Sequence, residues 1–253
     1  MSSASGEIAP PIPPPPAARE LKPWNFIAVM LLCLAVQVVV VIAWIVITVV
    51  PPILAGEKPS QPPEPPPALF LVLQPIDILL GLGGAWAFAC AWTKRTTREG
   101  FRLAAPSRLL GVTSAAAGAV CIGLQCLLLK LDPSGAPKMM AQLTSTPLGF
   151  WTFVVLGAFS PFFEEIYYRV FMFDAFENAI GTAASAILVT VWFLGLHVPQ
   201  YWPSLGGIAS IFILSLTTTI LRVKTRSVVP SMIAHAVFNW TAIAVAVVFR
   251  GTL

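Results

Sequence analysis

Long uncharged apolar runs constrain the fold of this chain more than any other feature. Residues 23–56, 109–129 and 139–163 contain no charged side chain, and residues 178–221 lack Asp, Glu, Lys and Arg. A helix needs about 20 mostly apolar residues to cross the hydrocarbon core of a bilayer. Each run is therefore long enough for a crossing, and the pattern predicts a protein that spans a membrane several times.

The composition excludes several classes of protein. Only 10% of the 253 residues are charged, against roughly 25% in a soluble domain, so polar side chains are too few to cover a soluble globule. We therefore exclude a soluble enzyme, a disordered chain and a nucleic-acid-binding protein. The net charge of +4 is attributed to basic cytoplasmic loops, which membrane proteins commonly carry.

We predict an all-α, polytopic transmembrane bundle of about seven spans. Pro51 and Pro52 are expected to end the first span, and a segment rich in Pro and Gly after His197 separates the fifth from the sixth. The predicted spans are 24–50, 68–92, 109–129, 148–177, 183–197, 205–221 and 227–249.

The basic residues predict the orientation of these spans. With seven spans, ten Lys and Arg residues fall on one face and four on the other, and the basic face of a membrane protein is normally cytoplasmic. This arrangement places the N-terminus in the cytoplasm. The ten are Arg19, Lys22, Lys94, Arg95, Arg98, Arg102, Arg108, Arg222, Lys224 and Arg226, and the four are Lys58, Lys130, Lys138 and Arg250.

Ionisable side chains inside predicted spans are costly and indicate function. They fall on three spans, at depths that permit one polar cavity, and they are Glu164, Glu165, Arg169, His197 and His235. These histidines are the only two in the chain. Other acids receive different interpretations: Asp77 interrupts the second span and its role stays open, whereas Asp174 and Glu177 are expected to be solvated at the cytoplasmic end of the fourth.

Helical spacing divides the roles of these residues. Glu165 and Arg169 are four apart, so we expect a structural ion pair, which leaves Glu164 free to face the cavity and act on water. His235 and Asn239 are also four apart and share one helix face. By the same spacing, Phe193 is expected to pack beside the ring of His197.

These residues form three motifs in a recognisable order. Glu-Glu-x-x-x-Arg at 164–169, Phe-x-x-x-His at 193–197 and His-x-x-x-Asn at 235–239 resemble the pattern of the CAAX prenyl endopeptidase and bacteriocin-processing family of intramembrane proteases. This family is also called the abortive-infection family. The similarity covers about residues 145–250, and the first 140 residues add only further spans.

The resemblance implies an all-helical membrane fold with a conical cavity open to the cytosol. It also implies an intramembrane endopeptidase that cleaves a membrane-associated protein or peptide near its C-terminus. Carried over by motif, the catalytic residues are Glu164, which activates water, His197, and the oxyanion-stabilising pair His235 and Asn239. Glu165 and Arg169 are implied as supporting residues.

The chain divides into three expected regions. Residues 1–23 form a Pro-rich, disordered cytoplasmic tail, 24–140 the N-terminal transmembrane helices, and 141–253 the protease core. The expected location is the bacterial inner membrane, and the expected partners are the lipid bilayer and a membrane-associated substrate. The identity of that substrate, its prenylation and the oligomeric state are left open.

The cofactor and two rival functions also stay open. Two histidines and a glutamate are enough ligands to bind a zinc ion with one position left for water. However, the chain lacks the His-Glu-x-x-His motif of zinc proteases, and Glu164 as a ligand would no longer be a free base. We favour a metal-free mechanism, with zinc as the alternative.

The rival functions are a transporter or proton-coupled carrier, since intramembrane ionisable groups also relay protons, and a non-catalytic immunity or scaffold protein.

Overall fold

A computed structural model describes residues 19–56, 67–134 and 144–248, with side chains of the second long helix from residue 73 onward. Within these ranges every regular element is a helix. Seven helical segments are long and apolar enough to cross a bilayer. The predicted all-α bundle of seven spans is therefore confirmed, whereas the Pro-rich tail up to residue 18 lies outside the described residues.

The helices follow in chain order as α1 to α10. Two of them continue directly into π-helical turns, over Ala87–Trp92 after α3 and over Glu165–Met172 after α6. The bounds are Pro23–Thr48 (α1), Val50–Leu54 (α2), Pro67–Trp86 (α3), Thr97–Gly100 (α4), Arg108–Leu131 (α5), Pro147–Glu164 (α6), Phe173–Ile180 (α7), Thr182–Tyr201 (α8), Leu205–Thr225 (α9) and Val229–Val248 (α10).

Two predicted span ends differ from the observed ones. The first span does not stop at Pro51, because α2 resumes after Val49 and carries its prolines in the first turn, where a missing N–H costs no helical hydrogen bond. The fifth span does not end at His197. Helix α8 runs to Tyr201, since Pro199 lies near its C-terminal end and interrupts only the last turns.

The bundle is apolar outside and partly polar inside. Large apolar side chains face outward, as at Leu79, which is 72% exposed. Small hydroxyl side chains are fully buried between helices, among them Ser114, Ser210 and Ser231. Small residues allow transmembrane helices to approach closely, and their hydroxyls hydrogen-bond to backbone carbonyls. Helix α10, for example, packs against α5, α6 and α9.

One prediction about the C-terminal end of the fourth span is wrong. Asp174 was expected to be solvated, but it is 5% exposed. Its carboxylate accepts hydrogen bonds from Arg222 at 2.5 Å and from Arg102 at 2.9 Å. Both arginines are distant in sequence, so only the folded chain reveals the partners that make this buried carboxylate tolerable.

Asp77, whose role the sequence left open, joins the first two long helices. The amide of Gln37 on α1 donates to the Asp77 carboxylate on α3 at 2.6 Å. A polar pair of this kind holds transmembrane helices together. The hydrogen bond from Gln37 therefore gives Asp77 a structural role between α1 and α3.

Asp132 connects the end of α5 with the start of α9. Its carboxylate accepts hydrogen bonds from the Ser204 hydroxyl at 2.5 Å and the Gly206 amide at 2.8 Å. It also accepts from the amide of Ser134 at 2.9 Å and from the Ser134 hydroxyl. These bonds, with the Ser134 hydroxyl the strongest, hold the pKa of the Asp132 carboxyl well below its usual range. The carboxylate thus caps the N-terminus of α9.

We expect Asp132→Asn to lower the melting temperature near neutral pH and to have little effect in acid. The pKa of Asp132 is lower in the folded state than the value of about 3.9 in the unfolded chain. Its stabilising contribution is therefore complete above about pH 4 and is lost as the pH falls through the folded-state pKa. Thermal unfolding in detergent at several pH values measures this, and a difference independent of pH contradicts it.

Candidate active site

The helix that carries Glu164 and Glu165 changes its geometry between these two residues. Helix α6 ends at Glu164, and the chain continues as a π-helix from Glu165. Pro161, inside the last turn of α6, has no backbone N–H to donate. π-helical turns within helices often occur at functional sites. The sequence predicted one continuous helix here, and Pro161 was the available signal of irregularity.

Glu165 and Arg169 form the ion pair that their spacing predicted. The distance from Arg169 Nε to Glu165 Oε2 is 3.5 Å, and both side chains are 0% exposed. Arg169 Nη2 also donates to Ser215 Oγ at 3.0 Å, and the guanidinium lies 4.2 Å from the centroid of the Phe193 ring. The buried cation is thus stabilised by a carboxylate, a hydroxyl and an aromatic face.

Glu165 has a second partner that the sequence did not reveal. Its Oε1 lies 2.9 Å from Nδ1 of His235 on α10. An ionised carboxylate can only accept a hydrogen bond, so the imidazole proton belongs on Nδ1. Glu165 therefore fixes the tautomer and the orientation of the His235 ring, with Nε2 on the opposite side.

Glu164 approaches this opposite side of the same ring. Its Oε2 lies 3.9 Å from His235 Nε2, and its side chain is 14% exposed, compared with 0% for Glu165. This distance is too long for a direct hydrogen bond, but one oxygen atom of a water or a substrate can contact both groups. The two neighbouring carboxylates thus face the two nitrogens of one imidazole.

His197 contributes the second imidazole from α8. Its Nδ1 lies 2.8 Å from the backbone oxygen of Phe193 and donates to it, which leaves Nε2 as an acceptor in the neutral ring. The rings of Phe193 and His197 are stacked with centroids 4.3 Å apart, as the spacing predicted. Phe193 also meets His235 edge-on at 6.0 Å. The two imidazoles therefore contact the same phenyl ring.

Asn239 lies one turn beyond His235 on α10, and its amide points at α6. Nδ2 donates to the Gly157 carbonyl at 3.0 Å and to Ser160 Oγ at 3.2 Å. Both amide hydrogens are thus engaged within the protein. The resemblance implied an oxyanion donor at this position, whereas the contacts observed are with the helix that carries Glu164.

The structure therefore brings together five of the six residues to which the resemblance assigns a catalytic or supporting role. Glu165 contacts Arg169 and His235, Glu164 approaches His235, and the ring of His197 stacks on Phe193. Asn239 lies beside this group and contacts α6, the helix that carries Glu164. Among the described residues, no group of three or more His, Cys, Asp and Glu side chains is arranged to hold a metal ion. The arrangement can bind water, accept a proton at Glu164 and present the Nε2 atoms of two imidazoles to a bound molecule.

Comparison with known families found a matching model over the region that carries these residues. A family model described as type II CAAX prenyl endopeptidase, Rce1-like, matches residues 146–241. The matched segment contains all seven residues that the three motifs specify. No curated protein and no solved structure matches the chain significantly.

We expect Glu165→Gln to lower the free energy of unfolding by about 3 kcal/mol, because it leaves the buried Arg169 guanidinium without its counter-charge. Thermal or denaturant unfolding in detergent measures the loss. We also expect the double variant Glu165→Leu with Arg169→Met to be more stable than Glu165→Gln, since it removes both charges.

The matched control is Glu177→Gln. Glu177 pairs with Arg226 at 2.6 Å, but the Arg226 side chain is 59% exposed. An exposed pair contributes about 1 kcal/mol or less, so this variant should remain close to wild type. Equal losses for Glu165→Gln and Glu177→Gln would show that burial of the Glu165–Arg169 pair has no special importance.

Proposed function

Because residues 146–241 match the Rce1-like family model, we propose that the chain is an intramembrane endopeptidase of this family. Its substrate class is a membrane-associated protein or peptide cleaved near its C-terminus, as the description CAAX prenyl endopeptidase suggests. The observation that carries the proposal is the placement of Glu164 and Glu165 at opposite nitrogens of His235.

Glu164 is the general base in this proposal. Its carboxylate takes a proton from water while the water oxygen attacks the carbonyl carbon of the scissile peptide bond. The carbonyl oxygen becomes an oxyanion. When the carbon–nitrogen bond breaks, Glu164 returns the proton to the leaving nitrogen, so the products are a carboxylic acid and an amine. The partial exposure of Glu164 supports its access to water.

His235 stabilises the oxyanion. Glu165 accepts the proton on Nδ1, and in the proposed mechanism Nε2 carries the second proton of the ring. Nε2 then donates to the developing oxyanion on the side where Glu164 lies. A donor placed in advance at this position is typically worth about 10²- to 10³-fold in rate.

His197 orients the water. Its Nδ1 proton is committed to the Phe193 carbonyl, so Nε2 of the neutral ring accepts a hydrogen bond from the nucleophilic water. Glu164 accepts the other proton of that water. This division of roles, an acceptor at His197 and a donor at His235, follows from the different partners of the two Nδ1 atoms.

The reaction proceeds through Glu164 without a metal in this proposal. The Nδ1 atoms of both histidines and the Oε1 atom of Glu165 are already engaged by protein groups. If Glu164 and the two Nε2 atoms were used as ligands, the site would lose its base. The alternative is a zinc-bound water.

We also propose that the N-terminus is cytoplasmic and that the protein resides in the bacterial inner membrane. The loop after α3 and the loop before α10 meet on one face, because the Ser227 hydroxyl donates to the backbone oxygens of Arg102 and Ala104. Both loops are basic, which supports a cytoplasmic position for this face. In this arrangement 24–140 provide the N-terminal spans, and 141–253 form the protease core.

We expect Glu164→Gln to reduce cleavage by about 10²- to 10⁴-fold, since it removes the general base and leaves the buried Glu165–Arg169 pair intact. Membrane peptides are compared by mass spectrometry between cells with the wild-type protein and cells with Glu164→Gln. A peptide that persists only in the variant is the substrate, and it is then used with purified protein.

Glu177→Gln is the control. Glu177 lies at the proposed cytoplasmic end of the same span, so this variant should leave cleavage unchanged. Cleavage that persists in Glu164→Gln contradicts the proposal.

The purified protein is also assayed in a strong chelator and its metal content is measured. Full activity without bound metal supports the glutamate mechanism, whereas activity that depends on zinc replaces it with the metal alternative.

A further inference from the structure

Helix α6 contains a backbone carbonyl that its own helix cannot satisfy. Pro161 has no N–H, so the carbonyl of Gly157, four residues earlier, lacks the usual helical donor. This position lies inside a membrane span, where water is not available to replace that donor. Another element must therefore supply the hydrogen bond just before Glu164.

Helix α10 supplies donors from two consecutive residues. Asn239 Nδ2 donates to the Gly157 carbonyl at 3.0 Å and to Ser160 Oγ at 3.2 Å. Trp240 Nε1 donates to the Ala158 carbonyl at 2.9 Å. Two successive carbonyls of α6 thus accept hydrogen bonds from side chains of α10 in the turn where Pro161 interrupts the helix.

Glycines allow α10 to approach its neighbours closely at this level. A Cβ atom on Gly157 would lie 3.2 Å from Cδ1 of Ile243, one turn beyond Asn239. On the other side, a Cβ atom on Gly118 of α5 would lie 2.2 Å from the backbone oxygen of Ala234, the residue before His235. Helix α10 is therefore held between α5 and α6 on both sides of His235.

We propose that Asn239 and Trp240 are positioning residues that clamp α10 to the proline turn of α6 and so set the position of Glu164 relative to His235. Asn239 is one turn from His235 on α10, and Ser160 is one turn from Glu164 on α6. The clamp rests on the proposed function, because its purpose is to maintain the 3.9 Å separation of Glu164 Oε2 and His235 Nε2. In this role Asn239 acts through Gly157 and not by contact with the oxyanion.

The first test is a double-mutant cycle between Asn239→Ala and Pro161→Ala. Pro161→Ala restores an N–H that can bond to the Gly157 carbonyl, and the carbonyl then no longer depends on Asn239. Each single variant should lower kcat/KM by about tenfold or more, because small displacements of catalytic groups reduce the rate strongly. The double variant should lose no more than Pro161→Ala alone. Losses that multiply overturn the clamp, since they indicate that Asn239 acts independently of Gly157.

The second test is Trp240→Phe, which keeps an aromatic ring and removes only the indole donor. We expect about a tenfold lower kcat/KM and a shifted pH profile, since the environment of Glu164 changes. Trp86→Phe is the matched control: Trp86 is 49% exposed, compared with 50% for Trp240, and its indole donates to Thr97 Oγ1 at 3.2 Å far from the site. If Trp240→Phe matches Trp86→Phe in both measurements, the clamp is overturned.

A third measurement separates failure of the clamp from failure of the proposed peptidase. The same cycle of Asn239→Ala and Pro161→Ala is measured by thermal unfolding in a Glu164→Gln background, where cleavage is not required. The clamp predicts that the melting temperature of the double variant lies well above the value expected if the two losses were additive. Additive losses overturn the clamp even if the protein is a peptidase, and non-additive losses support it even if the substrate assay fails.

Discussion

The buried carboxylate of Glu165 is the interaction on which the site depends. It neutralises Arg169 and holds Nδ1 of His235. Through Arg169 the same charge is linked to Ser215 on α9 and to Phe193 on α8. A charge inside a membrane bundle is tolerated only with such partners. One ion pair thus connects the π-helical turns with three other helices, and the orientation of the His235 ring follows from it.

The two adjacent glutamates differ in environment, and this difference suggests their division of labour. Glu165 is fully buried, with Oε1 2.9 Å from His235 Nδ1 and Oε2 3.5 Å from Arg169 Nε, so both of its oxygens face protein groups. Glu164 keeps partial exposure and lies 3.9 Å from Nε2. Successive residues of a helix point in directions that differ by roughly 100°. Glu165 can therefore hold the His235 ring in place while its neighbour Glu164 approaches the same ring from the other side.

The sequence predicted what depends on local periodicity. Uncharged runs gave the seven spans, and four-residue spacing gave the Glu165–Arg169 pair and the Phe193–His197 stack. Contacts between helices depend on how each helix is rotated and tilted, and spacing does not contain that information. The Glu165–His235 contact and the burial of Asp174 by Arg222 were therefore missed.

The backbone is irregular on both sides of Glu164, with Pro161 before it and π-helical turns after it. Irregular backbone is costly within a bilayer unless other groups satisfy the released polar atoms. Here the donors come from Asn239 and Trp240, on the helix that also carries His235. The groups that make the distortion tolerable therefore also fix its direction toward the imidazole. In the proposed clamp the irregular turn places Glu164 and the α10 side chains hold it there, so the geometry of the site would depend on backbone hydrogen bonding as much as on the motif residues.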